Sequence, residues 1–263
     1  MEKGMAYVML GRCENLNDIY IAGDFNKEGI NCSPGSLEES EALKKRFIEK
    51  QDTKKRNRLA EVKISYLNIM RLFATNHDNM LDDDELMDSD MIGLGETWLQ
   101  PEEERSFEGF QSEFASSGNG KGVAALLKNA IHYSCRKVST SLMSLIFLTT
   151  TELKVVFMYL SQGFDKEEVL RLLDECMDGE EAIAIMGDVN WDYFGKPDHK
   201  MKDFMASKGF SQLIQEATHE KGKTLDHIYV NQILKQRGCY ASQQSVHYSD
   251  HDIVSLHVPN AKK

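Results

Sequence analysis

The chain has 263 residues, 41% of them hydrophobic and 28% charged, with a formal net charge of -11. That balance excludes a disordered chain, and no apolar run approaches the roughly 20 residues a membrane-spanning helix needs. The acidic excess provides no overall basic field of the kind DNA-binding modules carry. Five scattered cysteines, odd in number and never spaced Cys-x-x-Cys, argue against a disulfide framework or a structural zinc site.

The first residues, MEKGMAYVMLGRCENLND, lack the basic start, apolar middle and small-residue cleavage site of a secretory leader, so an intracellular protein is expected. IYIAGDFN places a Gly-Asp-Phe-Asn tetrapeptide (Gly23 to Asn26) after an apolar run that reads as a strand. Ser33-Pro34-Gly35 then opens a charge-rich helical segment, with Glu38 and Glu39 in its first turn. The stretch Lys44 to Arg58 carries eight basic residues against two acidic ones and reads as a linker, which places a domain boundary near residue 58. The acidic run Asp78 to Asp90 reads as a solvated helix face or linker.

Beyond that boundary the pattern changes to strands interleaved with helices. VKISYLNI (62–69) and DMIGLGET (90–97) are short apolar strands, followed by KGVAALLK. SLIFLTT and ELKVVFMYL read as a paired hairpin. DKEEVLRLLDECM repeats its apolar residues at helical spacing. The strand EAIAIMG, a helix near HKMKDFMASKG, and the strands TLDHIYV and DIVSLHV complete the order. This alternation predicts a layered α/β domain, a sandwich of mixed sheets with helices outside.

Polar residues recur where these strands end. Asn68 closes the first, Glu96 the second and Tyr159 the hairpin; Asp188 and Asn190 close AIAIMGDVN. Asp226 lies in TLDHIYV, and Asp250-His251 precedes the last strand. Strand ends on a rigid scaffold are where catalytic groups collect. Magnesium favours oxygen ligands from one or two carboxylates, with water and substrate phosphate completing the set; Glu96 and Asn68 suit it. His251, with Asp226 on its other nitrogen, suits proton transfer or a hydrogen bond to a developing oxyanion. Asp188 and Asn190, two apart on an extended chain, are expected to face one way and to orient a water and a phosphate oxygen. His132, His199, His219, His247 and His257 have no comparable setting and read as structural or surface residues. GNGKG (118–122) lacks the ending of a nucleotide-binding loop and reads as a turn.

From about Val62 to Val258 the ordered phrases YLNI, GLGETWL, GVAALL, VFMYLS, IMGDVN, ATHEKGKTLDHIYV and YSDHDIVSLHV resemble the endonuclease/exonuclease/phosphatase superfamily. ETWL and ATHEKGKTLDHIYV look most like endonucleases of mobile elements. The resemblance implies a magnesium-dependent phosphodiesterase, with manganese as a possible substitute, on a four-layered α/β sandwich. It places Asn68, Glu96 and Asp250 at the metal, and His251, Asp226, Asp188, Asn190 and Tyr159 in the catalytic set. Leu160-Ser161 stands where many members have Arg-Pro, Val189 where Phe is usual, and Ala217 where a proline is common.

The N-terminal segment AYVMLGRCENLNDIYIAGDFN resembles the C-terminal tail of a superfamily 1 helicase of Helitron-like transposons, with Gly11 in place of the motif serine and Arg12 retained. The two resemblances imply residues 1–58 as a helicase tail and linker, a small appendage to an endonuclease-like domain at 59–263. They imply a DNA-nicking enzyme, the terminal part of a transposon replicase, acting with the rest of a helicase chain in the nucleus or elsewhere inside the cell. The alternatives are a phosphatase or lipid phosphodiesterase of the same fold, and a non-catalytic interaction module. Only the second Gly-Asp-x-Asn copy, Gly187 to Asn190, has the supporting residues before and after it, so a single active site is expected.

Overall fold

The computed structural model describes residues 61–260 except 74–75, 101–102, 104, 117–120, 178, 180 and 196–199. The expected helicase tail, basic linker, boundary near 58 and first Gly-Asp-x-Asn copy, His199, and most of the GNGKG turn lie outside the described residues.

In chain order the elements are β1 (Glu61–Asn68), helices α1 (Asn76–Leu81) and α2 (Asp84–Met87), β2 (Met91–Gly95), β3 (Phe110–Ala115) and β4 (Val123–Lys128). Then come β5 (Ser134–Ser139), β6 (Met143–Thr149), β7 (Lys154–Leu160), α3 (Lys166–Cys176) and β8 (Ile183–Asp188). The chain closes with α4 (Lys200–Ser207), β9 (Ser211–Gln212), β10 (Asp226–Val230), α5 (Gln232–Gln236), β11 (Tyr240–Gln244) and β12 (Ile253–Pro259).

These strands form two six-stranded sheets, ordered β11-β12-β1-β2-β4-β3 and β5-β6-β7-β8-β10-β9. Both follow one plan. A central parallel pair, β1 with β2 or β7 with β8, is flanked on each side by antiparallel strands. The expected hairpin is the β6–β7 pair, with Met143 opposite Leu160. Central strands are buried on both faces, which is why they read as near-continuous apolar runs.

Alternating residues divide the core into layers. Ile64, Tyr66, Val155, Phe157, Ala184, Met186 and Ile228 fill the space between the sheets. On the outer face of the second sheet, Val156, Met158 and Ile185 meet Val169, Leu172 and Leu173 of α3 and Met201 and Met205 of α4. On the outer face of the first, Leu67, Ile92 and Leu94 meet Met80 of α1 and Leu86 of α2. The result is a four-layered α/β sandwich. The acidic run is therefore not only a solvated face: its short helices cover the first sheet, and Asp83 caps α2 by accepting the backbone N–H of Glu85 and Leu86. Asp165 caps α3 in the same way through the N–H of Glu168 at 3.1 Å. No helix among the described residues is long and apolar enough to cross a membrane.

Candidate active site

The shared sheet plan brings chain ends to one rim. The parallel strands β1, β2, β7 and β8 end there, carrying Asn68 (last of β1), Glu96 (one past β2), Tyr159 and Asp188 (last of β8). The antiparallel neighbours start at that rim: Asp226, first of β10, pairs with Asp188, while β12 runs back along β1 so that Asp250-His251 precede it. Asn68, Glu96, Tyr159, Asp188, Asn190, Asp250 and His251 line one cleft of about 360 Å³. Asp226 stands behind His251, fully buried.

Asn68 joins the carboxylates. Its Nδ2 donates to Asp188 Oδ2 at 2.9 Å and to Glu96 Oε2 at 3.1 Å, and its Oδ1 accepts the Met70 N–H at 3.1 Å. In this orientation the amide nitrogen faces the acids, and ligation through oxygen requires the amide to turn over. Asp188 and Asn190 do not meet by strand alternation as expected. Asn190 has φ 48°, and its N–H donates to Asp188 Oδ1 at 2.7 Å. This is a side-chain-closed turn, for which asparagine tolerates the left-handed region. The Asn190 amide then donates to Leu160 O at 2.8 Å, tying the turn to the end of β7.

His251 Nδ1 lies 2.7 Å from Asp226 Oδ2, and its Nε2 lies 4.0 Å from Asp188 Oδ2. Thr218 Oγ1 accepts the N–H of Leu225 and of Asp226, fixing the start of β10. Burial pulls the His251 pKa down, but the charge and hydrogen bond of Asp226, with Asp188 and Asp250, outweigh it and push it up to about 9. Burial, then the charge of Asp226, pushes Asp188 up to about 7 against the opposing pull of His251, the Asn190 N–H and Asn68. Burial and the neighbouring Glu96 charge raise Tyr159 as well.

One residue assigned to structure or surface belongs here. His219 lines the cleft, its Nε2 is 3.3 Å from Asp250 Oδ2, and its ring meets the His251 ring edge-on at 4.6 Å between centroids. A backbone bridge between His219 and His251 sets this contact. The only sequence signal was its place between Thr218 and the TLDHIYV strand. Ser249 also contributes, its Oγ donating to Asn68 O at 2.6 Å and accepting the His251 N–H at 3.1 Å.

The donor set fits a hard cation. Asp250 Oδ1 and Asp226 Oδ1 are buried without a hydrogen-bond partner among the described residues, a costly state that a cation relieves. Two groups converge closely enough to share an ion: His219, Asp250 and His251, and Asp188, Asp226 and His251. Glu96, half-buried at the cleft, reaches Asn68 and, at 3.4 Å, the Trp98 indole N–H.

No known family's sequence profile matches the chain, and no curated protein matches it. Solved structures do. The endonuclease domain of TRAS1, a telomere-specific non-LTR retrotransposon, superposes with a TM-score of 0.57 at 12% identity, covering 75% of this chain and 98% of that one. A 3'-5' exonuclease from Neisseria meningitidis, NExo, gives 0.59 at 15%, covering 75% and 99%. The AP endonuclease LMAP from Leishmania major gives 0.57 at 13%, covering 77% and 89%. At such identities the likeness is one of fold: the described residues share the α/β sandwich of these nucleases.

Proposed function

We propose that the chain is a divalent-metal-dependent phosphodiesterase that nicks DNA. The observation that carries the reading is the convergence of Asn68, Glu96, Asp188, Asp250 and the His251–Asp226 pair on one cleft. The fold neighbours support it, since those named above are an endonuclease domain, an exonuclease and an AP endonuclease. The N-terminal resemblance adds the context of a Helitron-like transposon protein, in which the remaining helicase would supply most of the grip on DNA. The net charge of -11 makes binding by this chain weak and salt-sensitive.

Glu96 and Asp250, with Asn68 once its amide turns, are the groups that hold magnesium in this reading. When bound, the ion neutralises the phosphate and the leaving oxygen. Asp188, held by Asn68 and Asn190, orients the attacking water. His251 Nε2 faces the same space, placed to donate to a phosphoryl oxygen when protonated or to take a proton from water when neutral. Asp226 fixes its ring and tautomer. Water oxygen forms the new bond to phosphorus, the ester P–O bond breaks, and the departing oxygen leaves with a proton.

Phosphomonoester cleavage is the second reading, because the Neisseria enzyme is also described as a 3' phosphatase bound to a DNA hairpin. The test is conversion of supercoiled plasmid to nicked circle with magnesium and with EDTA, alongside release of phosphate from a 3'-phosphorylated oligonucleotide. Magnesium-dependent nicking that disappears in Glu96→Ala and His251→Ala supports the proposal. Phosphate release without nicking favours the second reading. Absence of both activities, or nicking that survives both substitutions, overturns the assignment.

A further inference from the structure

The loops after β1 and β2 carry, beyond Glu96, features that phosphate hydrolysis does not use. Among the described residues five non-glycine residues have positive φ, and four lie on these loops: Met70 (47°), Arg71 (80°), Glu96 (52°) and Trp98 (57°). Side chains disfavour that region, and it persists only where surrounding structure imposes it. Here the imposing structure is a backbone ladder that continues past the strands. Ile69 N–H donates to Gly95 O at 3.0 Å, Arg71 N–H to Glu96 O at 2.9 Å and Leu72 N–H to Thr97 O at 3.1 Å.

The outcome is an outward-facing indole beside the cleft. Thr97 and Leu99 are buried, while Trp98 between them is 38% exposed. The Arg71 guanidinium carbon stands 5.0 Å from the Trp98 ring centroid. The indole N–H reaches Glu96 Oε1 at 3.4 Å, and Met70, 43% exposed, lines the cleft with Glu96.

We propose that Trp98 and Arg71 form a stacking platform for an unpaired nucleobase of the DNA strand that enters the cleft. An aromatic face with an adjoining cation is the chemistry that holds single-stranded nucleic acid: the ring stacks on any base and the cation meets the backbone phosphate. A base inside a duplex has both faces covered by its neighbours, so the platform selects single-stranded or frayed DNA. It also offsets the weak backbone attraction of a chain whose net charge is -11. The position of the scissile phosphate rests on the nuclease reading; base stacking does not.

The test is fluorescence anisotropy of a labelled oligothymidylate in EDTA, where nothing is cleaved, against the same strand annealed to its complement. Trp98→Ala is expected to weaken single-strand binding about tenfold or more, Trp98→Phe to restore most of it, and duplex binding to change less than about twofold. Arg71→Gln, which keeps the ring, is expected to weaken single-strand binding by a smaller factor. Thermal midpoints check that each variant folds, and the Phe and Gln variants carry the test if the Ala variant does not. The proposal is overturned if wild type binds no oligothymidylate, if single-strand binding survives Trp98→Ala, or if both DNA forms weaken equally. Binding through Trp98 without plasmid nicking removes the nuclease reading and leaves the platform standing; nicking with binding insensitive to Trp98 does the reverse.

Discussion

Asn68 Nδ2 lies 2.9 Å from Asp188 Oδ2, so the last residue of β1 in one sheet donates to the last residue of β8 in the other. The sandwich is thereby closed at this rim by a buried hydrogen bond to an acid that is 1% exposed. Asn68→Ala leaves that carboxylate short of a donor and is expected to cost about 1–3 kcal/mol of stability. Asn68→Leu, close in size and unable to donate, is expected to cost no less. Urea unfolding checks both; a midpoint unchanged in either variant contradicts the bridging role.

A pH dependence follows from the same rim. In the metal-free fold His251 is raised to about 9 from 6.5, chiefly by Asp226 against the opposing pull of burial, and Asp188 to about 7 from 3.8 by burial and Asp226. Each group holds its proton more tightly folded than unfolded, so stability falls as pH rises. The His251 contribution is fully present below about 6.5 and is lost as pH passes through about 9. The Asp188 contribution is lost between about 4 and 7. Thermal midpoints in EDTA should therefore drop from pH 6 to pH 9, and Asp226→Asn, which removes the main upward cause at His251, should flatten the drop. An equal slope in both proteins runs against this account.

His219 is expected to act through Asp250, whose Oδ2 lies 3.3 Å from its Nε2. Partners that orient ligands typically govern metal affinity by about 10- to 100-fold. His219→Ala should raise the magnesium concentration for half-maximal nicking by at least about tenfold, with the rate at saturating magnesium less affected, and His219→Asn should recover part of the loss. A lowered saturating rate with unchanged magnesium dependence places His219 in the chemistry instead.

The contrast between what the residues announced and what they hid has physical causes. The buried central strands and α3 were legible because burial imposes apolar runs and helical spacing: β1, β2, β7, β8 and Lys166–Cys176 fall where the pattern places them. The strands β3 (FQSEFA), β5 (SCRKVS) and β11 (YASQQ) were missed because each lies at a sheet edge with few fully buried residues, and little distinguishes such segments from loop. The polar residues at strand ends stood out by residue type and meet at one cleft, whereas local geometry was not readable. The left-handed Asn190 replaces an expected extended pair, and the orientation of the Asn68 amide depends on Asp188, 120 residues away. His219 was nearly hidden for the same reason, since its place in the cleft comes from a bridge to His251.

The central claim is that one site, built on Gly187 to Asn190, does the chemistry, although Gly23 to Asn26 spells a similar motif. The most direct measurement is the magnesium-dependent plasmid-nicking rate of Asp188→Asn beside that of Asp24→Asn, each against wild type. The account predicts a loss of about 100-fold or more for Asp188→Asn and a rate within about twofold of wild type for Asp24→Asn. Nicking that persists in Asp188→Asn, or that vanishes in Asp24→Asn, contradicts it.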